Sequence, residues 1–156
     1  MLQQGLAFNL ASRGPLNGKP LIVYNRTASR VDELRSSLIP SDQAKVSPAS
    51  SAEAAAKDAD IIFTSFADDQ SVVDMYDRLL AGCNGKVEGK LFAETSTVLP
   101  ETAEKLAGKV QEAGGTYVAM PSKFWNWHFE SHGRFFLRHA ASRMLQEVTP
   151  LYYISD

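Results

Sequence analysis

A doubly wound, mostly parallel α/β sheet is the architecture these 156 residues predict, and three observations carry that expectation. Short, continuous runs of apolar, β-favouring residues recur along the chain, most plainly over residues 21–24 and 60–65. A run without polar alternation is what a strand covered on both faces needs. Amphipathic stretches of helical period separate these runs, and Gly and Pro punctuate the junctions. Strands alternating with helices of this length imply crossover connections onto a parallel sheet.

The elements follow in order. Residues 1–12 carry Leu2, Leu6, Phe8, Leu10 and Ala11 at roughly helical spacing, and Arg13-Gly14-Pro15 ends that helix with a C-cap glycine and a breaker. Gly18 and Pro20 bound the strand over 21–24, and Thr27-Ala28-Ser29 offers an N-cap for a helix over 28–38 with Val31, Leu34 and Leu38 on one face. Pro40 closes it. Lys45-Val46 is a short strand candidate, and 47–56 reads as a small alanine-rich helix. After the strand over 60–65 comes a helix over 68–80 with Val72, Val73, Met75, Tyr76, Leu79 and Leu80 apolar, then a glycine-rich loop over 82–89. A strand over 90–94, a helix over 100–113 with Pro100 in its first turn, and a strand over 116–120 complete the pattern.

At Pro121 the character changes. Phe124, Trp125, Trp127, Phe129, Phe135, Phe136, Tyr152 and Tyr153 crowd the remainder without a clean helical or strand period. The chain is therefore expected to divide into an α/β unit over 1–121 and an unassigned aromatic and basic tail over 122–156, whose apolar load must be buried on something. A partner or a second copy of the chain is one such surface.

Composition narrows the function. A net charge of −2 with 22% charged residues gives no global basic field for nucleic acid or an anionic membrane, so any anion site must be local. The single cysteine, Cys83, rules out an internal disulfide and a cysteine-based zinc cluster, and suits a reducing, cytoplasmic setting. No apolar run reaches membrane-spanning length, and the first residues carry neither a signal-peptide nor a transit-peptide pattern. His128 and His132 have an i, i+4 spacing, but the order is not H-E-x-x-H and a third ligand is missing, so no metal site is expected.

The local anion site is the end of the strand over 21–24. In a dinucleotide fold an acidic residue at this place accepts hydrogen bonds from the adenine ribose 2′-hydroxyl of NAD, whereas an arginine pairs with the 2′-phosphate of NADP. Asn25, Arg26 and Thr27 stand there without a carboxylate, so NADP is expected over NAD. Thr27 has two readings, a hydroxyl for the same phosphate or a helix cap, and Arg30 is a secondary cation.

Four segments in order, Leu6-Ala7-Phe8-Asn9-Leu10, Val23-Tyr24-Asn25-Arg26-Thr27, Asp58-Ala59-Asp60-Ile61-Ile62-Phe63 and Ser96-Thr97-Val98 with Pro100-Glu101-Thr102, resemble the β-hydroxyacid dehydrogenase family, which includes 3-hydroxyisobutyrate and 6-phosphogluconate dehydrogenases. The resemblance implies an NAD(P)-binding Rossmann-like domain of an oxidoreductase acting on hydroxy acids, and Arg26 turns that expectation toward NADP. It also implies that Phe66 lines the adenosine side of the cleft, with ordinary loop packing as the alternative, and that Ser96 and Thr97 lie near the nicotinamide, with N-capping of the next helix as theirs.

Three departures accompany it. The family opens with a strand and a G-x-G-x-x-G turn, yet alignment through residues 6–10 puts Gln3 where the third glycine belongs. The sheet is therefore expected to lack its first central strand and to carry a gap there. Pro121-Ser122-Lys123-Phe124-Trp125 replaces the family's P-V-S-G-G substrate loop, and no lysine follows Lys123 to act as general acid and base. No catalytic residue is assigned. The breaks suggest a truncated product, with a non-catalytic nucleotide-binding or partner-binding module as the rival reading.

Overall fold

The computed structural model describes residues 2–14, 16–120 and 151–155. The substrate-loop departure at 121–125, the His128 and His132 pair and the remainder of the aromatic tail up to residue 150 lie outside them. Helix α1 (Leu2–Arg13) ends as expected, with the Gly14 amide donating to the Leu10 carbonyl at 2.9 Å. Strand β1 (Leu21–Asn25) follows, then α2 (Ser29–Ser37), a short α3 (Pro40–Gln43), β2 (Val46–Pro48), α4 (Ala52–Lys57) and β3 (Ile61–Ser65). Helix α5 (Asp69–Gly82), β4 (Leu91–Glu94), α6 (Pro100–Glu112) and β5 (Thr116–Ala119) continue the alternation, and β6 (Leu151–Ser155) comes last.

Three local expectations need correction. The stretch 47–56 is not one helix: Pro48 forces Ser47 toward extended backbone, so β2 runs through Pro48, and α4 starts only after Ser51, whose hydroxyl accepts the Ala54 amide at 3.1 Å. Pro40 opens α3 as well as closing α2. Thr27 does not cap α2, whose cap position is Ala28, with no side-chain hydrogen bond.

The six strands form one sheet of order β2-β1-β6-β3-β4-β5, and every neighbouring pair is parallel. Period-two alternation assigns side chains to two cores. Leu21 and Val23 of β1 and Ile61 of β3 face Ala7 and Ala11 of α1 and Val31 and Leu34 of α2. On the other face Ile62 and Phe92 pack with Ala52, Ala55 and Ala56 of α4, Val72, Tyr76 and Leu79 of α5, and Leu106 and Val110 of α6. Tyr76 sits between Phe92 and Tyr117, with ring centroids 5.6 and 6.0 Å away. Helices α4 and α5 approach so closely at Gly82 that an added Cβ would lie 2.7 Å from the backbone of Glu53.

The expected gap is filled. Strand β6 lies between β1 and β3, with Ile22, Val23, Tyr24 and Asn25 in register with Tyr152, Tyr153, Ile154 and Ser155, and residues 61–65 in register with 151–155. Left open, a buried slot would strand backbone donors and acceptors at about 1–3 kcal/mol each. The tail thus returns its last described residues to the middle of the sheet, and the strand that a contiguous β-α-β reading leaves missing is supplied from far along the chain.

Candidate dinucleotide site

In an open parallel sheet, ligands sit beyond the carboxyl ends of the strands, where the connections diverge to opposite faces. Here that edge is made by Asn25, Ser155, Ser65 and Glu94, the last residues of β1, β6, β3 and β4. At β1 the backbone turns immediately. Asn25 Oδ1 accepts the Thr27 amide at 2.8 Å, an Asx turn that leaves Arg26 and Thr27 on the exposed surface. Arg30 is exposed one turn further on and donates to Glu33 at 3.1 Å.

A carboxylate in the loop after β3 feels the charge of this turn. Asp68 caps α5, its Oδ1 accepting the Ser71 amide at 2.8 Å and its Oδ2 the Ser71 hydroxyl at 2.8 Å. Those bonds hold its carboxyl below the usual range, and the charge of Arg26 adds a smaller push in the same direction. The charge of Arg26 is thus felt at Asp68, which caps the helix that follows β3.

Behind this surface lies a buried brace. Glu94 is 1% exposed; its Oε2 accepts the Thr64 hydroxyl at 2.7 Å and its Oε1 the Ser96 amide at 2.7 Å. The single Thr64 hydroxyl hydrogen is committed there, so Tyr76 is the donor in its 3.2 Å contact with Thr64 Oγ1. Burial raises the Glu94 carboxyl above its ordinary value, against the bonds that favour its charge. The Ser96 hydroxyl oxygen accepts the Phe66 amide at 2.6 Å, and Thr95 donates both its amide and its hydroxyl to the Thr64 carbonyl, at 2.8 and 2.7 Å. Side-chain bonds thus clamp the ends of β3 and β4 at the carboxyl edge of the sheet.

This arrangement sorts the candidates. Asn25, Arg26 and Thr27 come together on one exposed turn. Ser96 and Thr97 do not cap α6: that helix starts at Pro100, and the Leu99 amide is satisfied by Asp69 Oδ2 at 3.0 Å. Ser96, 5% exposed, braces the loops, while Thr97 beside it is exposed. Phe66 is 5% exposed with its ring in the core, the packing alternative for this residue, and contributes its amide to the Ser96 brace. Sequence reading missed Glu94 as the centre of that brace, although a carboxylate ending an otherwise apolar strand was the available signal. Among the described residues no cluster of three His, Cys, Asp or Glu side chains forms a metal site, and no helix is long and apolar enough to cross a membrane.

A parallel doubly wound sheet with a cation-bearing turn at its carboxyl edge defines a dinucleotide-binding domain. Residues 4–122 match the family described as the NAD binding domain of 6-phosphogluconate dehydrogenase, and the chain belongs to that family, whose members bind a nicotinamide dinucleotide. It is 32% identical over 103 residues to the NADH-dependent oxidoreductase ucdB of Aspergillus ustus, across 66% of this chain and 33% of that protein. With the uncharacterized oxidoreductase YfjR of Bacillus subtilis (strain 168) it shares 36% identity over 107 residues, across 67% of this chain and 34% of the relative. The chain thus spans about a third of the length of the curated relatives it matches. Among solved structures, an imine reductase from Pseudomonas sp. superposes with a TM-score of 0.60 at 20% identity, over 97% of this chain and 51% of the other. An oxidoreductase from Mycobacterium avium 104, titled putative, gives 0.60 at 23% identity over 76% and 37%. At these identities the likeness is one of fold.

Proposed function

We propose that this domain binds NADP in preference to NAD, with Arg26 and Thr27 taking the 2′-phosphate, Asn25 shaping their turn, and Thr97 facing the nicotinamide half beside the Ser96 brace. The observation that carries the reading is the Asx turn at the end of β1, which presents a guanidinium and a hydroxyl where the ribose edge of a dinucleotide falls and offers no carboxylate of its own to a 2′-hydroxyl. A planar, permanently charged fork suits a phosphate dianion. Phe66 supports the cleft from within through its amide. The NADH dependence named for the Aspergillus relative makes the choice between cofactors the sharpest test of this chain's own residues.

When bound, the nicotinamide supplies a hydride acceptor or donor; the residues of this chain bind and orient it. The whole protein would then be an oxidoreductase, with a hydroxy acid or another small substrate bearing an oxidisable C–H bond. For these residues we expect binding without turnover, because Pro121-Ser122-Lys123-Phe124-Trp125 stands where the resemblance expects a glycine-bearing substrate loop. The division at Pro121 into a nucleotide-binding unit and a tail belongs to the same reading, the tail giving its final strand back to the sheet.

Thermal melting of the purified chain against increasing NADP⁺, with NAD⁺ as control, tests the proposal, since a ligand that binds only the folded state raises the midpoint. A larger rise with NADP⁺ that disappears in Arg26→Ala supports it. Equal responses to the two cofactors, or an unchanged NADP⁺ response in Arg26→Ala, would reject the assignment of the 2′-phosphate to this turn.

A further inference from the structure

We propose that the slot between β1 and β3 is a strand-acceptor site, and that Leu151–Ser155 is its exchangeable donor, held by main-chain pairing and not by the covalent path that leads to it. Strands β1 and β3 share no ladder of their own; in the strand order each pairs with β6. The walls of the slot are nevertheless fixed by groups outside β6. Ile61 of β3 packs in the same cluster as Leu21 and Val23 of β1, and Ile22 and Tyr24 of β1 pack against the cluster built on α4 and α5. Arg78 of α5 lies 5.9 Å from the ring centroid of Tyr24 while holding Glu53 of α4 at 2.6 and 3.1 Å. Groups on the helices therefore contact both walls of the slot from outside the strand between them.

The donor matches that slot in length and chemistry. Five residues pair with β3 and four with β1, so the segment fills the slot along its whole length. Leu151-Tyr152-Tyr153-Ile154 is apolar and β-favouring throughout, as a strand covered on both faces requires, and Pro150 separates it from what precedes. This is recognition by strand addition, with affinity from the ladder and selectivity from alternate side chains. The covalent path imposes little: the 31 residues between Ala119 and Leu151 can reach about 100 Å when extended. From β5 to β6 is only three strand spacings, about 14 Å. An occupant offered by a separate molecule meets the same geometry.

The test starts from the full chain carrying a protease site inserted within residues 121–150, folded first and then cut. The two pieces are expected to co-elute, to melt at a midpoint that falls on dilution, and to exchange a fluorescein-labelled peptide of residues 148–156 into the slot. The same peptide with Tyr153→Pro, which removes a ladder donor, is expected to compete at least tenfold more weakly. In the uncut chain, Tyr153→Pro should speed amide exchange in β1 and β3 at least tenfold more than in β4 and β5, a pattern that general unfolding would not give. Separation of the pieces with the remainder melting at the uncut midpoint would overturn the proposal. So would equal competition by the two peptides, or a uniform exchange response.

Discussion

The two halves of the sheet that meet at β6 are held by different physics. On the side of β3, β4 and β5 the core contains the rings of Tyr76 and Phe92, and directional bonds among Thr64, Glu94, Ser96 and Phe66 lock the strand ends. On the side of β1 and β2 the buried residues of the face covered by α1 and α2 are aliphatic, from Ala7 and Ala11 through Leu21, Val23, Val31 and Leu34 to Val46. Dispersion and burial stabilise the second half without fixing orientation, whereas hydrogen bonds in a dry environment fix the first at particular atoms. The turn bearing Arg26 belongs to the second half. A frame braced between strand ends on one side thus faces a turn held by its own Asn25–Thr27 hydrogen bond above an aliphatic core.

Truncating the larger core should produce the largest effect. Phe92→Ala is expected to cost about 3–5 kcal/mol and Val23→Ala about 2 kcal/mol, measured by urea unfolding at constant slope. Equal costs would remove the contrast between the halves. Next comes Asn25→Asp, which keeps an oxygen for the Thr27 amide but sets a carboxylate beside the 2′-phosphate. On the reading proposed above, its NADP⁺ affinity should fall roughly tenfold to a hundredfold, the equivalent of about 1.5–3 kcal/mol for a charged hydrogen bond, with NAD⁺ affinity held or improved. Titration by fluorescence or calorimetry reads both.

Glu94 sharpens the comparison through pH. Its folded carboxyl holds a proton to higher pH than the unfolded one, so the folded state binds more protons in that window. Stability therefore falls as pH rises from the ordinary carboxylate range through the raised folded value. Glu94→Gln should flatten this part of the stability profile while keeping an acceptor for the Ser96 amide, and a slope identical to that of the parent would assign it to other groups. The smallest effect is expected at Glu53, whose carboxyl the Arg78 hydrogen bonds hold down at about 2. Its contribution is present above the unfolded value of 4.5 and is lost as pH falls toward 2. Because the pair is partly solvated, Glu53→Gln should cost no more than about 1 kcal/mol in thermal melts at neutral pH.

Local order was legible wherever one residue type decides it. The Gly14 stop, the Asp68 start of α5, Pro100 at the head of α6 and the buried runs at 21–24 and 60–65 all stand where their chemistry puts them. The Asn25 to Thr27 turn was legible for the same reason. Glu94 was harder, since a carboxylate at a strand end is ordinarily solvated and only the tertiary arrival of Thr64 and the Ser96 amide makes it a buried acceptor. Strand β6 had a local signal, the Leu151–Ile154 run after Pro150, hidden within an aromatic segment lacking a consistent period. Its partners lie at residues 22–25 and 61–65, and no local rule reaches so far.

That separation has a consequence for the order in which the molecule comes into being. At ribosomal rates of about 5–20 residues per second, roughly 5–20 seconds pass between synthesis of Ser65 and synthesis of Ser155. Throughout that interval β1 and β3 have both been made while the strand that joins them has not, and two apolar edges with open backbone groups stand ready to pair with any passing chain. The nascent polypeptide is thus most exposed to misassembly until residues 151–155 have emerged, and the holding chaperones of the translating cell would meet it there.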